Sequence, residues 1–203
     1  SPMMEVTERF LIDNLDEESM KEFAPKLEGV LRSAVGLPSK VGCSRVLVLL
    51  SMRNVLFQPY ADRFIQLLRK LVLDRNDTVS ASYCTSLGYL SRLGSDSQVM
   101  KTIEYAINLY TSSEDAPHRA VAAEVLHSMS KLSNDRFMVF ATTALPFVFV
   151  SKNDVDEHVR DVFEGTWQEN VGGSRAVSLY INEIVATVTN NLDSPRWSIK
   201  HTA

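Results

Sequence analysis

Apolar residues recur at intervals of three and four along almost the whole chain, and sustained two-residue alternation is absent. From Tyr60 the spacing runs through Phe64, Leu67, Leu68 and Leu71, and the next segment gives Val79, Tyr83, Leu87 and Leu90. A third run holds Val99, Ile103, Ala106, Ile107 and Tyr110, and a fourth holds Ala122, Val125, Leu126, Met129 and Leu132. Val159, Val162, Phe163 and Trp167 follow, then Val177, Ile181, Ile184, Val188 and Leu192. Each run predicts a helix of about four turns.

The connectors carry recognisable chemistry. Pro38, Pro59, Pro117 and Pro195 stand where first helical turns begin, positions whose N–H groups lack an intrahelical partner anyway. Asp77, Asp96, Asp154 and Ser174 are candidate caps for the helix starts. Gly94, Gly172 and Gly173 follow helical runs as stops. Asn76-Asp77-Thr78 matches a glycosylation sequon but reads as a turn.

Alternate helices start near Pro38, Asp77, Pro117, Val155 and Pro195, roughly 39 residues apart, a period of the HEAT and armadillo class. One further helix lies between each pair, near residues 16–35, 58–73, 96–111, 135–151 and 174–192. Two helices per unit favour HEAT. The predicted fold is all-α, a HEAT-repeat α-solenoid of about five helix pairs forming one array over residues 1–203. Its units are roughly 1–15 (partial), 16–53, 58–93, 96–132, 135–169 and 174–203 (truncated). A lone hairpin cannot cover its own apolar face, so neighbours stack to complete the core. The competing architecture is a compact bundle of about ten helices, against which the near-constant spacing argues.

Around Asp154, Leu145-Pro146-Phe147-Val148-Phe149 leads into Asn153-Asp154-Val155-Asp156-Glu157-His158-Val159-Arg160. This is the HEAT pattern of an apolar first helix with proline, an Asp-containing turn, and a Val-Arg step opening the second helix. Leu73-Asp74-Arg75-Asn76-Asp77-Thr78-Val79 repeats it, with Ser80 in place of the arginine. The expectation is that an Asp–Arg ladder between units is broken at that joint.

Composition excludes more than it selects. The chain is 45% hydrophobic and 23% charged, with a net charge of −4, ordinary for a globular protein and no argument for nucleic acid. No segment reaches the ~18 uncharged apolar residues of a membrane span, and the first residues lack the basic and apolar regions of a signal peptide. Cys43 and Cys84 form neither a metal-spaced set nor a disulfide framework and read as packed hydrophobes in a reducing compartment.

Catalytic and metal chemistry find little support. His118, His127, His158 and His201 lie on different helices, and no pair has helical zinc spacing. His127 reads as a partly buried helix residue. A Cys84–His127 dyad would need an exposed, activated thiol and an oriented base, which nothing here supplies. Gly36-Leu37-Pro38-Ser39-Lys40-Val41-Gly42 has the residues of a phosphate loop in the wrong order and reads as a turn opening a helix, with Gly42 permitting close helix approach. Trp167 reads as core, packed against Val159, Val162 or Phe163 and the following helix, and Trp197 is open between core and contact surface. No catalytic, cofactor, metal or small-molecule site is predicted.

Charge is unevenly spread. Residues 40–101 carry nine basic side chains against four acids, whereas residues 1–39 and 102–203 are acidic. The functional reading is a basic band of Arg53, Arg63, Arg69, Lys70, Arg75, Arg92 and Lys101, short of local partners and facing an acidic protein. Arg119 and Lys131 in the next unit read as ordinary surface cations. The bland reading of the band is chance variation on solvated faces.

Four segments look specific in this order. They are Val35-Gly36-Leu37-Pro38-Ser39-Lys40-Val41-Gly42-Cys43, Asp74-Arg75-Asn76, Thr166-Trp167-Gln168-Glu169-Asn170-Val171, and Pro195-Arg196-Trp197-Ser198-Ile199-Lys200. Together they resemble the C-terminal half of the large Ecm-type proteasome adaptor and scaffold proteins, from about residue 25 onward. The resemblance implies a non-enzymatic HEAT scaffold that holds proteasome core and regulatory particles together and acts in proteasome quality control. It further implies proteasome subunits as partners, a cytoplasmic and nuclear location, and a fragment of a longer solenoid, since the chain stops within a second helix without a polar capping repeat. The alternatives are a HEAT scaffold for nuclear transport or phosphatase assembly, and an enzyme on a helical toroid.

Overall fold

A computed structural model describes residues 2–53, 55–171 and 174–203, and for residues 2–5, 7, 11, 53 and 174–176 the backbone alone. Among the described residues every regular element is helical. The chain forms two compact units, residues 1–98 and 99–203.

The first unit contains α1 (Pro2–Asp13), α2 (Glu17–Ser33), α3 (Leu37–Arg53), α4 (Gln58–Leu71) and α5 (Asp77–Leu90), with a 3-10 turn at Val55–Phe57 leading into α4. The helices start where the backbone donors find acceptors. Asp16 and Asn76 cap α2 and α5, accepting from the N–H groups of Ser19 and Val79. The cap of α5 is thus Asn76, one residue before the expected Asp77, because an Asx side chain must precede the first helical residue to reach its orphan donors. Likewise Ser95, not Asp96, accepts from Gln98 N–H.

Two layers of helices share the core of this unit. α2 contributes Met20, Ala24, Leu27 and Leu31, and α4 contributes Ala61, Phe64, Ile65 and Leu68. α3 packs along α5, and small side chains line that seam. The Ser44 and Ser86 hydroxyls meet at 2.6 Å, and Ser44 donates to the carbonyl of Ser82. Gly42 does not serve the close approach expected of it, since a Cβ there would meet open space. Gly94 does: a Cβ at that position would lie 2.6 Å from Ile65 Cδ1.

The second unit holds most of α6 (Asp96–Thr111), then α7 (Ala116–Leu132), α8 (Asn134–Met138), α9 (Ala141–Ser151) and α10 (Glu157–Asn170), followed by α11 (Ser174–Leu179), α12 (Ile181–Leu192) and α13 (Trp197–Thr202). The runs expected as single helices over 135–151 and 174–192 are each broken. The breaks fall at Phe140 (φ −108°, ψ 25°) and Tyr180 (φ −112°, ψ 15°), forty residues apart, so the bend repeats with the period of the units. Asp156 caps α10, while the expected cap Asp154 has another role. Pro195 lies two residues before α13 instead of within its first turn. Gly172 and Gly173 lie outside the described residues, as does the Ser174 side chain.

α7 packs along α10, and α9 along α12. The rings of Tyr110, Phe147 and Phe163 meet edge to face, with centroids 5.2 to 5.7 Å apart. Trp167 is buried as expected, and its ring meets Phe149 of α9, the preceding helix, with centroids 4.8 Å apart. Trp197 is 67% exposed. No helix of the described residues is long and apolar enough to cross a membrane.

Candidate interaction surface

The second helices α5, α7, α10 and α13 open with the same local construction. Two residues before the cap stands a short polar side chain that accepts from the cap's own N–H. Asp74 accepts from Asn76 at 2.9 Å, Ser113 from Asp115 at 3.1 Å, Asp154 from Asp156 at 2.8 Å and Ser194 from Arg196 at 3.2 Å. The turn is therefore self-supporting, and the second carboxylate oxygen of an aspartate stays available for a neighbouring unit.

That oxygen is used. Lys40, in the first turn of α3, reaches Asp74 at 2.5 Å. Arg119, at the corresponding place in α7, holds Asp154 through two bonds, Nε to Oδ2 at 3.0 Å and Nη2 to Oδ1 at 3.2 Å. Arg119 also donates to the carbonyl of Glu114, and the Tyr110 hydroxyl donates to Asp154 at 2.6 Å. The arginine is 2% exposed and the aspartate 0%. Burial opposes the charge on Arg119, but its bonds to Asp154 outweigh that and raise its pKa. Burial chiefly, then Asp154, pushes the Tyr110 hydroxyl up, so it stays a donor. Arg119 is thus a core residue and not the surface cation its residue type implied.

At Ser80 no arginine is present to continue the ladder, in keeping with the expected break, while Asp74 is held from the preceding helix pair by Lys40. The Lys40 bond and the Asn76 N–H together lower the Asp74 pKa. Ser80 itself donates to the carbonyl of Val72 within its own turn.

The members of the basic band differ in their surroundings. Arg53 lies outside the residues whose side chains are described. Arg63 is exposed but paired with Glu28 of α2 at 2.7 Å, and Glu28 also holds Arg32. Arg69 donates to the Gln98 side chain at 2.9 Å, and Arg92 lies over the Tyr89 ring at 5.2 Å. Arg63, Arg69 and Arg92 thus all have partners, although the acid that pairs Arg63 lies outside residues 40–101. Arg63 and Arg69 find theirs some thirty residues away along the chain, on other helices. Lys70 and Arg75 are exposed, with no ion pair to another described residue, and Lys101 is exposed in the second unit.

Groups with chemical potential are quiet. Cys43 and Cys84 are free and buried, and burial pushes the Cys43 thiol up, away from the nucleophilic thiolate. The Thr166 hydroxyl lies within hydrogen-bond reach of the Val162 carbonyl and shares a hydrogen bond with His127 Nδ1 at 3.1 Å. Among the described residues no cluster of three His, Cys, Asp or Glu is placed to hold a metal ion.

Paired helices with an aspartate-turn ladder define a HEAT-repeat protein. Residues 1–111 match the family model described as the HEAT-repeat domain of proteasome adapter and scaffold protein ECM29. The chain belongs to that family. It is 29% identical to proteasome component ECM29 of Saccharomyces cerevisiae over 100% of its own length and 11% of the relative's. It is 28% identical to the proteasome adapter and scaffold protein ECM29 of Homo sapiens over 98% and 11%, and 27% identical to proteasome component ecm29 of Schizosaccharomyces pombe over 100% and 12%. The chain thus spans about a tenth of each relative. The match begins at residue 1, so the similarity includes the first two dozen residues left out of the expected span. No solved structure matches.

Proposed function

We propose that this chain is a non-enzymatic, protein-binding segment of a proteasome scaffold. In this reading it helps hold core and regulatory particles together, serves the quality control of assembled proteasomes, and works in the cytoplasm and the nucleus. The family match over residues 1–111 carries the proposal. Its relatives bear the names of proteasome components and adapters. The buried state of Cys43 and Cys84 supports a role without nucleophilic chemistry.

Contact falls, in this reading, to the exposed members of the basic band. Lys70 and Arg75 are exposed members in the first unit, and Lys101 is an exposed member in the second, each acting within its own unit. The field of such cations steers an acidic partner and speeds encounter. The partners are subunits of the core and regulatory particles, with no role for nucleic acid or a small-molecule substrate. Affinity capture with this chain as bait, followed by identification of co-purifying subunits, tests the reading. Proteasome subunits are the expected catch. Transport factors or phosphatase subunits in their place would move the chain to a different scaffold class.

A further inference from the structure

The turn between α2 and α3 presents two side chains that folding leaves unexplained. Its backbone is fixed: Gly36 adopts φ +80°, Pro38 enters the first turn of α3, and Lys40 ties that turn to Asp74. At its tip Val35 is 84% exposed, and Leu37 is 43% exposed. Turns of this kind favour Gly, Asn, Asp, Ser and Pro, whose side chains do not seek burial. The neighbouring turn, between α4 and α5, exposes Leu73 by 41%. The Lys40–Asp74 bridge joins these two turns. A single exposed aliphatic needs no explanation, but here three stand on two turns that an ion pair joins.

The charge around these three side chains has one dominant sign. Lys70 and Arg75 flank Leu73 and are exposed, while Arg32 at the end of α2 is exposed but paired with Glu28. The acids of this edge are mostly covered. Glu28 is held by Arg32 and Arg63, and Asp74 by Lys40, which leaves Asp77 as the exposed carboxylate there.

We infer that the three aliphatics form a strip that docks an acidic, aliphatic segment of the partner protein, with apolar side chains against Val35, Leu37 and Leu73 and carboxylates toward Lys70 and Arg75. The inference rests on the scaffold reading above and gives the chemistry of its partner. The turns are preorganised, so little ordering cost falls on this side of the interface. Aliphatic contacts hold the complex, while the cations set its orientation and on-rate.

The test uses the whole chain and purified proteasomes in a kinetic binding assay, with circular dichroism confirming that each variant stays folded. Val35→Ser/Leu37→Ser should weaken binding by about tenfold or more, mainly through faster dissociation. Lys70→Glu/Arg75→Glu should slow association instead. A synthetic peptide alternating leucine with glutamate should compete, and its leucine–lysine counterpart should not. Parent-like binding by the Val35→Ser/Leu37→Ser variant overturns the strip and leaves the scaffold reading standing. So does equal competition by the two peptides, or an equal loss from Val139→Ser, which removes an exposed aliphatic of the second unit. A parent chain that fails to bind removes the scaffold reading and the strip with it.

Discussion

Arg119 and Asp154, thirty-five residues apart in sequence, form a two-point ion pair that solvent does not reach. A buried pair of this kind is held by geometry. Each lone pair of the aspartate and most donors of the arginine have partners, so the cost of leaving water is offset. Removing one partner strands the other charge. Arg119→Ala should therefore cost ~3–5 kcal/mol, read as a lower denaturant midpoint. Arg119→Lys should recover only part of the loss, because one ammonium cannot reproduce the planar two-point contact. An unchanged midpoint for Arg119→Ala would show that the pair adds nothing to stability.

Lys40 and Asp74 make the same connection closer to solvent, and pH exposes the difference. The Asp74 pKa is lowered from its ordinary 3.8, so its contribution is present above that value and lost as pH falls through the lower folded-state value. Asp74→Asn should accordingly reduce stability at neutral pH and flatten the acid limb of the midpoint-against-pH curve. Lys40→Ala should act in the same direction by at most ~1 kcal/mol, since the pair is partly exposed. Parallel acid limbs for parent and Asp74→Asn would contradict the assignment.

Trp167 tests the core of the second unit. Its ring lies against Phe149 and is almost fully buried, and truncating such an aromatic typically costs ~3–5 kcal/mol. Trp167→Ala should lower the denaturant midpoint and leave binding by the surviving folded fraction unchanged. A variant as stable as the parent would place the ring at the surface.

The helix pairs were legible because proline, Asx residues and apolar periodicity mark the same boundaries at a near-constant spacing. Cap positions were legible only to within a residue or two, since Asn76 and Asp77, or Asp154 and Asp156, offer the same chemistry in a linear sequence. The breaks at Phe140 and Tyr180 carry neither glycine nor proline, and three-and-four periodicity continues through them unaltered. Arg119 was misread because arginine is ordinarily a surface residue. The available signal was its register, four residues after a cap and one repeat before an aspartate turn. The basic band suffered from the same blindness to long-range pairs: Glu28 neutralises Arg63 from another helix, thirty-five residues away.

The salt dependence of binding separates the charge field from simple adhesion. Lys70 and Arg75 are exposed cations beside an aliphatic strip, and the screening length falls to ~3 Å at 1 M salt. Association with proteasomes should slow as salt rises, and dissociation should change less. Lys131→Glu in the second unit should leave both rates unchanged. Arg119 cannot serve as a comparison, because it is buried and its reversal would unfold the unit that holds it. Salt-independent association would reduce the band to a solvated surface.

Direct binding to the proteasome is the central claim, and sedimentation measures it most plainly. Purified proteasomes, mixed with the chain at physiological salt and spun through a density gradient, should carry it into the fast-sedimenting fractions. Excess unlabelled chain should displace it. A chain that stays at the top of the gradient, folded by circular dichroism yet absent from the proteasome fractions, would contradict the account.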